Sequence, residues 1–162
     1  MQEVKLTHGH TAMVSNKDYG RVSKLTWYAH RCEGRTYART NVRCGEKFRQ
    51  VMLHRFILGI TNPKIKVDHK DHNGLNCQRR NLRKANNFQN GQNQRVHKNS
   101  ASRLKGVWWS KWHKKWRAYI RLRGKSIMLG YSSSKLEAAR MYDRAARRLF
   151  GKFAFTNFRR EK

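Results

Sequence analysis

Through its first third the chain carries short apolar runs separated by polar breaks. "VKLTHGHTAMVS", "LTWYAH", "RTYARTNVR" and "FRQVMLHRFILGI" are rich in β-branched and aromatic residues, with Gly9, Gly20, Gly34 and Gly45 as breakers. That pattern predicts short strands in a small antiparallel sheet over residues 4–58. The last run, 51–60, fits a strand that leads into a short helix, and "ITNPK" ends it.

Periodicity is sharpest near the C-terminus. In "WRAYIRLR", Trp116, Ala118, Ile120 and Leu122 alternate with Arg117, Tyr119, Arg121 and Arg123. A strand with one buried and one arginine-rich face is expected there. "KSIMLGY" reads as a second strand. In "SSKLEAARMYDRAARRLFG", Ser134 and Glu137 suit a capping box. Ala138, Ala139, Tyr142, Ala145, Ala146 and Leu149 recur at helical spacing, and Gly151 fits the C-cap. For Trp109, Trp112 and Trp116 core packing is expected rather than base stacking. Between the two regions, "GQNQRVHKNSASRLK" shows no apolar period and reads as a basic polar linker.

The pattern therefore predicts an α+β chain in three parts: an N-terminal domain over 1–92, a linker over 93–103 and a C-terminal domain over 104–162. Composition adds a partner. With 38 Lys and Arg against 9 Asp and Glu, the formal net charge is +29. Self-repulsion of that size is relieved by a polyanion, and nucleic acid is the first candidate. A hydrophobic content of 38% and five Trp argue against a disordered basic tail. No run of residues has the length and apolarity of a membrane span, so a soluble intracellular protein is expected. Cys32, Cys44 and Cys77 are odd in number and widely spaced, which speaks against a disulfide framework.

One stretch departs from this basic background: "VDHKDHNGLNCQRRNLRKANNFQNGQN", residues 67–93, with two His, two Asp and a series of Asn. It reads as a strand ending in Asp68 and His69, a turn-rich loop, a returning strand at "NLRKA" and a helix beginning at "NNFQNGQN". Asp68, His69, Asn81 and Asn90 could then converge. A carboxylate and an amide carbonyl suit a hard cation, and an imidazole beside them could deprotonate water.

These residues, with "LHRFILG" upstream, resemble the HNH (ββα-metal) motif of phage and intron-encoded homing endonucleases. Asn81 follows His69 by 12 residues and Asn90 follows by a further 9, as in that family. The resemblance implies His69 as general base, Asp68 and Asn90 as ligands of one Mg²⁺ or Mn²⁺, and Asn81 as the residue that orients His69 and holds the hairpin. Cys77 stands where the family often has another Asn. A second pair, Asp71-His72, offers an alternative register, and a zinc site of His69, His72 and Cys77 is a further alternative. His54 divides between core packing and phosphate contact. Arg55, Arg79, Arg80 and Arg83 flank the centre and are expected to contact phosphate.

Residues 104–158, through "KGVWW", "KWRAYIR", "LGYSSSKLEAARMYDRAARRLFG" and the closing "NF", resemble the AP2 DNA-binding domain. That resemblance implies a three-stranded antiparallel sheet backed by a helix, with Lys105, Trp108, Arg117, Tyr119, Arg121 and Arg123 toward the major groove of double-stranded DNA. Together the two resemblances imply a metal-dependent endonuclease in the cytoplasm of a bacterial host. It would act as a monomer on DNA, with a dimer or a non-catalytic DNA-binding regulator as alternatives.

Overall fold

The computed structural model describes residues 1–32, 34–97 and 99–158. Lys98 of the expected linker and the last four residues of the expected C-terminal domain lie outside the described residues. The chain is α+β, built from small antiparallel sheets and few helices, and it divides into two compact units, Met1–Asn86 and Asn87–Lys162.

In the first unit, β1 (Gln2–Lys5) pairs antiparallel with β2 (Thr11–Val14), Gln2 opposite Val14. His8 and Gly9 turn the chain with left-handed φ of 58° and 69°, so "VKLTHGHTAMVS" is a hairpin rather than one strand. Gly20, expected as a breaker, lies instead inside a helix, α1 (Asn16–Val22). The strand-like reading failed here because the helix is held from outside: Asp18 and Val22 are its two buried residues, and Asp18 is clasped from elsewhere in the chain.

Next come β3 (Tyr28–Cys32), β4 (Arg35–Cys44) and β5 (Lys47–Met52), an antiparallel sheet in that order. α2 (Leu53–Leu58) follows β5 directly, as the apolar run predicts, and Gly59 closes it at φ 63°. β6 (Lys66–His69) and β7 (Leu82–Ala85) then form a two-stranded ladder with Asp68 opposite Arg83 and His69 opposite Leu82. The core gathers Val14, Val22, Trp27, Ala38, Leu53, Ile57, Cys77 and Leu82. Each fully buried aliphatic among them contributes about 1.5–3 kcal/mol. Trp27 satisfies its indole N–H on the Val22 carbonyl at 2.9 Å.

In the second unit, α3 (Asn87–Gln92) precedes β8 (Val107–Ser110), β9 (Lys115–Leu122) and β10 (Lys125–Ser132), an antiparallel sheet with β9 central. α4 (Lys135–Phe150) backs it. The alternation in β9 does what it predicts: Ala118 and Ile120 are buried against Ala138, Ala139, Tyr142 and Ala146, and small alanines let helix and sheet approach. At Gly106 an added Cβ would lie 2.0 Å from the Tyr142 ring, so only glycine fits.

The cap of α4 differs from a simple box. Ser134 Oγ accepts from the Glu137 N–H at 3.3 Å, but the Glu137 carboxylate takes the Ser132 hydroxyl, whose oxygen accepts the Ser134 N–H at 3.0 Å. At the other end, buried Asp143 accepts from the backbone N–H of Asn157 (2.8 Å) and of Phe158 (2.9 Å), while Asn157 pairs both ways with the Lys105 backbone. The closing "NF" thus ties the last segment to the entry of β8.

Trp112 corrects an expectation: it is 91% exposed in the β8–β9 connection, and Trp109 is 41% exposed. Only Trp116 is substantially covered, with Trp109 edge-on to it at 5.1 Å. In the segment read as a linker, Asn93 and Ser102 are buried.

Candidate active site

The β6–β7 hairpin presents Asp68 and His69 at the end of a strand, both buried. Twelve residues separate His69 from the return of the chain at β7, and Asn81 is what holds them. Its side-chain N–H donates to Asp71 Oδ1 (2.9 Å) and to the Asn76 carbonyl (2.7 Å), and its Oδ1 accepts from the Asp71 N–H (3.1 Å). Lys70 N–H donates to the Asn81 carbonyl at 3.0 Å. Asn81 thus fastens the loop that leaves His69.

Asp71 is the second hub of that loop. Its carboxylate accepts from Asn73 N–H (2.9 Å), Asn76 Nδ2 (2.6 Å) and Asn81, and these bonds hold it below its ordinary pKa although burial alone would raise it. Asp71 is thus engaged in loop closure, and His72 beside it turns the chain at φ 64°. Gly74 lets the loop lie on β4: an added Cβ would meet the Thr36 carbonyl at 2.4 Å and the Tyr37 ring at 2.7 Å.

Around His69 the rings form one cluster. His54 from α2 stands edge-on to it with centroids 5.1 Å apart, and Tyr37 from β4 lies 5.9 Å from His54 and 6.0 Å from His69. Burial drives the His69 pKa down to about 4, against the raising influence of Asp71 and Asp68 and with the help of Arg35. His54 falls to about 3, through burial and the neighbouring His69 and Arg55. Both imidazoles are neutral near pH 7. His54 Nδ1 is buried with no hydrogen-bond partner among the described residues. Cys77 Sγ lies 3.9 Å from His69 Nε2, and burial pushes its thiol up to about 12, so it is an inert packing group.

Several expected phosphate contacts have internal partners. Arg79 grips Asp18 with two bonds (2.8 and 2.9 Å) and donates to the Ile57 carbonyl at 2.8 Å, which Arg21 also reaches at 2.6 Å. Arg55 donates to the Ile65 and Asn62 carbonyls at 2.8 and 2.7 Å, closing the chain behind α2. Arg83 holds Asp68 at 2.6 Å. Arg80 is exposed beside them. Arg21 also holds Asp18 at 2.9 Å from within α1, but the Arg79 half of the clasp has no signal in local pattern, since it lies 61 residues away in sequence.

A hard cation fits Asp68 in donor chemistry, since the carboxylate supplies oxygen; the Arg83 guanidinium competes for it. Asn90 lies on α3 in the second unit. Among the described residues no group of three or more His, Cys, Asp and Glu is arranged for a metal, which leaves the His69/His72/Cys77 zinc alternative without support.

In the second unit the open face of the sheet carries Trp108 opposite Arg117, Tyr131 opposite Arg117, Met128 opposite Tyr119 and Ser126 opposite Arg121. Trp108 and Met128 are 63% and 55% exposed. The Arg117 guanidinium lies 5.8 Å from the Tyr119 ring, and its Nε is buried with no partner among the described residues. Arg121 and Arg123 are exposed. Lys105 differs: its ammonium donates to the Gln92 and Gln94 carbonyls (2.7 and 2.6 Å), and burial lowers it to about 8.

Over 88 residues the chain is 38% identical to Protein 3.8 of Escherichia phage T7, a match that covers 54% of this chain and 72% of that protein. No protein-family model matches the chain, and no solved structure matches it. The chain belongs to the family of phage T7 Protein 3.8.

Proposed function

We propose that the chain is a metal-dependent endonuclease of the HNH homing type that hydrolyses phosphodiester bonds in double-stranded DNA. The observation that carries this reading is the neutral imidazole of His69, held beside Asp68 at a strand end by a loop fastened through Asn81. A neutral imidazole can accept a proton from water; the hydroxide formed attacks phosphorus, and the bridging oxygen departs with the P–O bond pair. Such assistance reaches about 10²–10⁴-fold when the base's pKa lies near the working pH; burial holds His69 at about 4, and the negative charge of a bound phosphate would raise it toward that range. Asp68 is the ligand that the first unit offers to Mg²⁺ or Mn²⁺, which would neutralise phosphate charge when bound. Asn90, the other ligand the sequence resemblance implies, is carried by α3 of the second unit. His54 and Tyr37 act as positioning residues that wall the imidazole.

The second unit, in this reading, is an AP2-like module that grips DNA through Trp108, Arg117, Tyr119, Arg121 and Arg123. Arginine suits both guanine edges and phosphates. The net charge of +29 accords with a polyanionic partner.

A second reading, a DNA-binding regulator without catalysis, is favoured by one observation: the Arg83 guanidinium on Asp68 occupies the carboxylate that a metal needs. Incubation of the purified chain with supercoiled host and phage DNA in Mg²⁺, with and without chelator, separates the two. Chelator-sensitive cleavage lost in His69→Ala is expected. Binding without cleavage supports the regulator, and undiminished cleavage by His69→Ala overturns the catalytic assignment.

A further inference from the structure

The most exposed large apolar side chain among the described residues is Trp112, 91% accessible in the turn between β8 and β9. An indole left in water at a hairpin tip gains by being covered, and this one sits among Lys111, Lys114 and Lys115, all exposed. The turn is not loose. Ser110 Oγ accepts from the His113 N–H at 3.3 Å and lies 3.1 Å from His113 Nδ1. His113 stacks on Tyr131 of β10 with centroids 4.3 Å apart and planes 29° from parallel. Lys114 takes a left-handed φ of 47°, which fixes the reversal. The tip is thus clasped to the same sheet face as Arg117, because Tyr131 pairs with Arg117.

A rigid aromatic ring flanked by cations and standing beyond a cationic face has the chemistry of a wedge that stacks on a nucleobase while the lysines neutralise adjacent phosphates. We propose that Trp112 stacks on an unstacked base of the bound DNA, so that the second unit favours duplex steps that open easily. The proposal rests on the reading of the second unit as a DNA-binding module. An anionic membrane surface would also accept a tryptophan ringed by lysines, but the neighbouring face sets Arg117 and Arg121 among Trp108, Tyr119, Met128 and Tyr131, and cations interleaved with aromatic rings suit phosphates and bases, which favours DNA.

The test uses the full chain, a matched 30-base-pair duplex, the same duplex with a one-nucleotide bulge, and vesicles rich in phosphatidylglycerol, all at 150 mM salt. Wild-type protein is expected to bind the bulged duplex about 5- to 150-fold tighter than the matched one, the range that one stacked base supplies. Trp112→Ala should lose that preference and Trp112→Phe should keep part of it, with circular dichroism unchanged in both. Tryptophan emission should be quenched by the bulged duplex in the wild type and less so in Trp112→Ala. Equal affinities and equal quenching in wild type and Trp112→Ala overturn the wedge while leaving DNA binding intact. Trp112-dependent binding to vesicles without a bulge preference also overturns it. Failure of the wild type to bind either duplex overturns the DNA-binding reading itself.

Discussion

Arg83 and Asp68 face each other across the β6–β7 ladder, and Arg83 Nε donates to Asp68 Oδ2 at 2.6 Å with both side chains largely buried. The carboxylate that the proposed metal requires is therefore the same one that neutralises a buried guanidinium. Removing the arginine takes one counter-charge from a buried carboxylate, a loss bounded by the roughly 3–5 kcal/mol of a fully buried pair. Arg83→Gln should lower the melting temperature, and millimolar Mg²⁺ should restore part of the loss while raising the wild-type value less. Equal Mg²⁺ responses of the two proteins would count against Asp68 as a ligand.

His54 and His69 make the fold acid-sensitive. Unfolded, each imidazole binds a proton near pH 6.5, whereas burial holds the folded values at about 3 and about 4. Between these limits the unfolded state carries more protons, so stability is complete above about pH 6.5 and falls as pH drops. At about pH 5 the loss is at most roughly 2 kcal/mol per histidine. Urea midpoints measured across this range should fall with pH, and His54→Phe should flatten the slope by about half.

The Asp18 clasp predicts a large structural effect from a residue that resembles a surface arginine. Asp18 is 1% exposed and takes two bonds from Arg79 and a third from Arg21 at 2.9 Å, so Arg79→Ala leaves the carboxylate with Arg21 alone and costs about 1–3 kcal/mol. Lys at this position should rescue only in part, because it lacks the fork. Denaturant unfolding of the two variants measures this.

Gly74→Ala should cost more in activity than in secondary structure. Its Cβ would meet the Thr36 carbonyl at 2.4 Å, and the cheapest relief is to lift the His69 loop off β4. Cleavage falling by more than tenfold with circular dichroism unchanged is the expected result.

Salt dependence separates the cations that face outward from those bound within the fold. Arg121 is exposed, so Arg121→Ala should reduce the slope of log affinity against log salt by about one if it contacts phosphate. Lys105 spends its ammonium on the Gln92 and Gln94 carbonyls, and Lys105→Met should leave the slope unchanged.

Features that depend on neighbours along the chain are legible in the residues alone. The alternation in β9, the alanine stripe of α4, the strand-to-helix run at 51–60 and the strand–loop–strand of the Asp68-His69 segment all follow from local period and turn chemistry. Which polar groups are already taken emerges only when the chain is folded. Whether Arg79, Arg83 and Lys105 face outward or bind within the fold depends on partners up to 61 residues away, and no local pattern encodes that. The same holds for α1, which is anchored through Asp18, and for Asp71, whose carboxylate resembles half of a second Asp-His pair until Asn73, Asn76 and Asn81 are seen to close on it. Trp112 shows the converse: its sequence context suggests a core residue, and only the turn that lifts it clear of the sheet exposes it. Buried polar groups must find partners in three dimensions, and that pairing settles which charges remain at the surface.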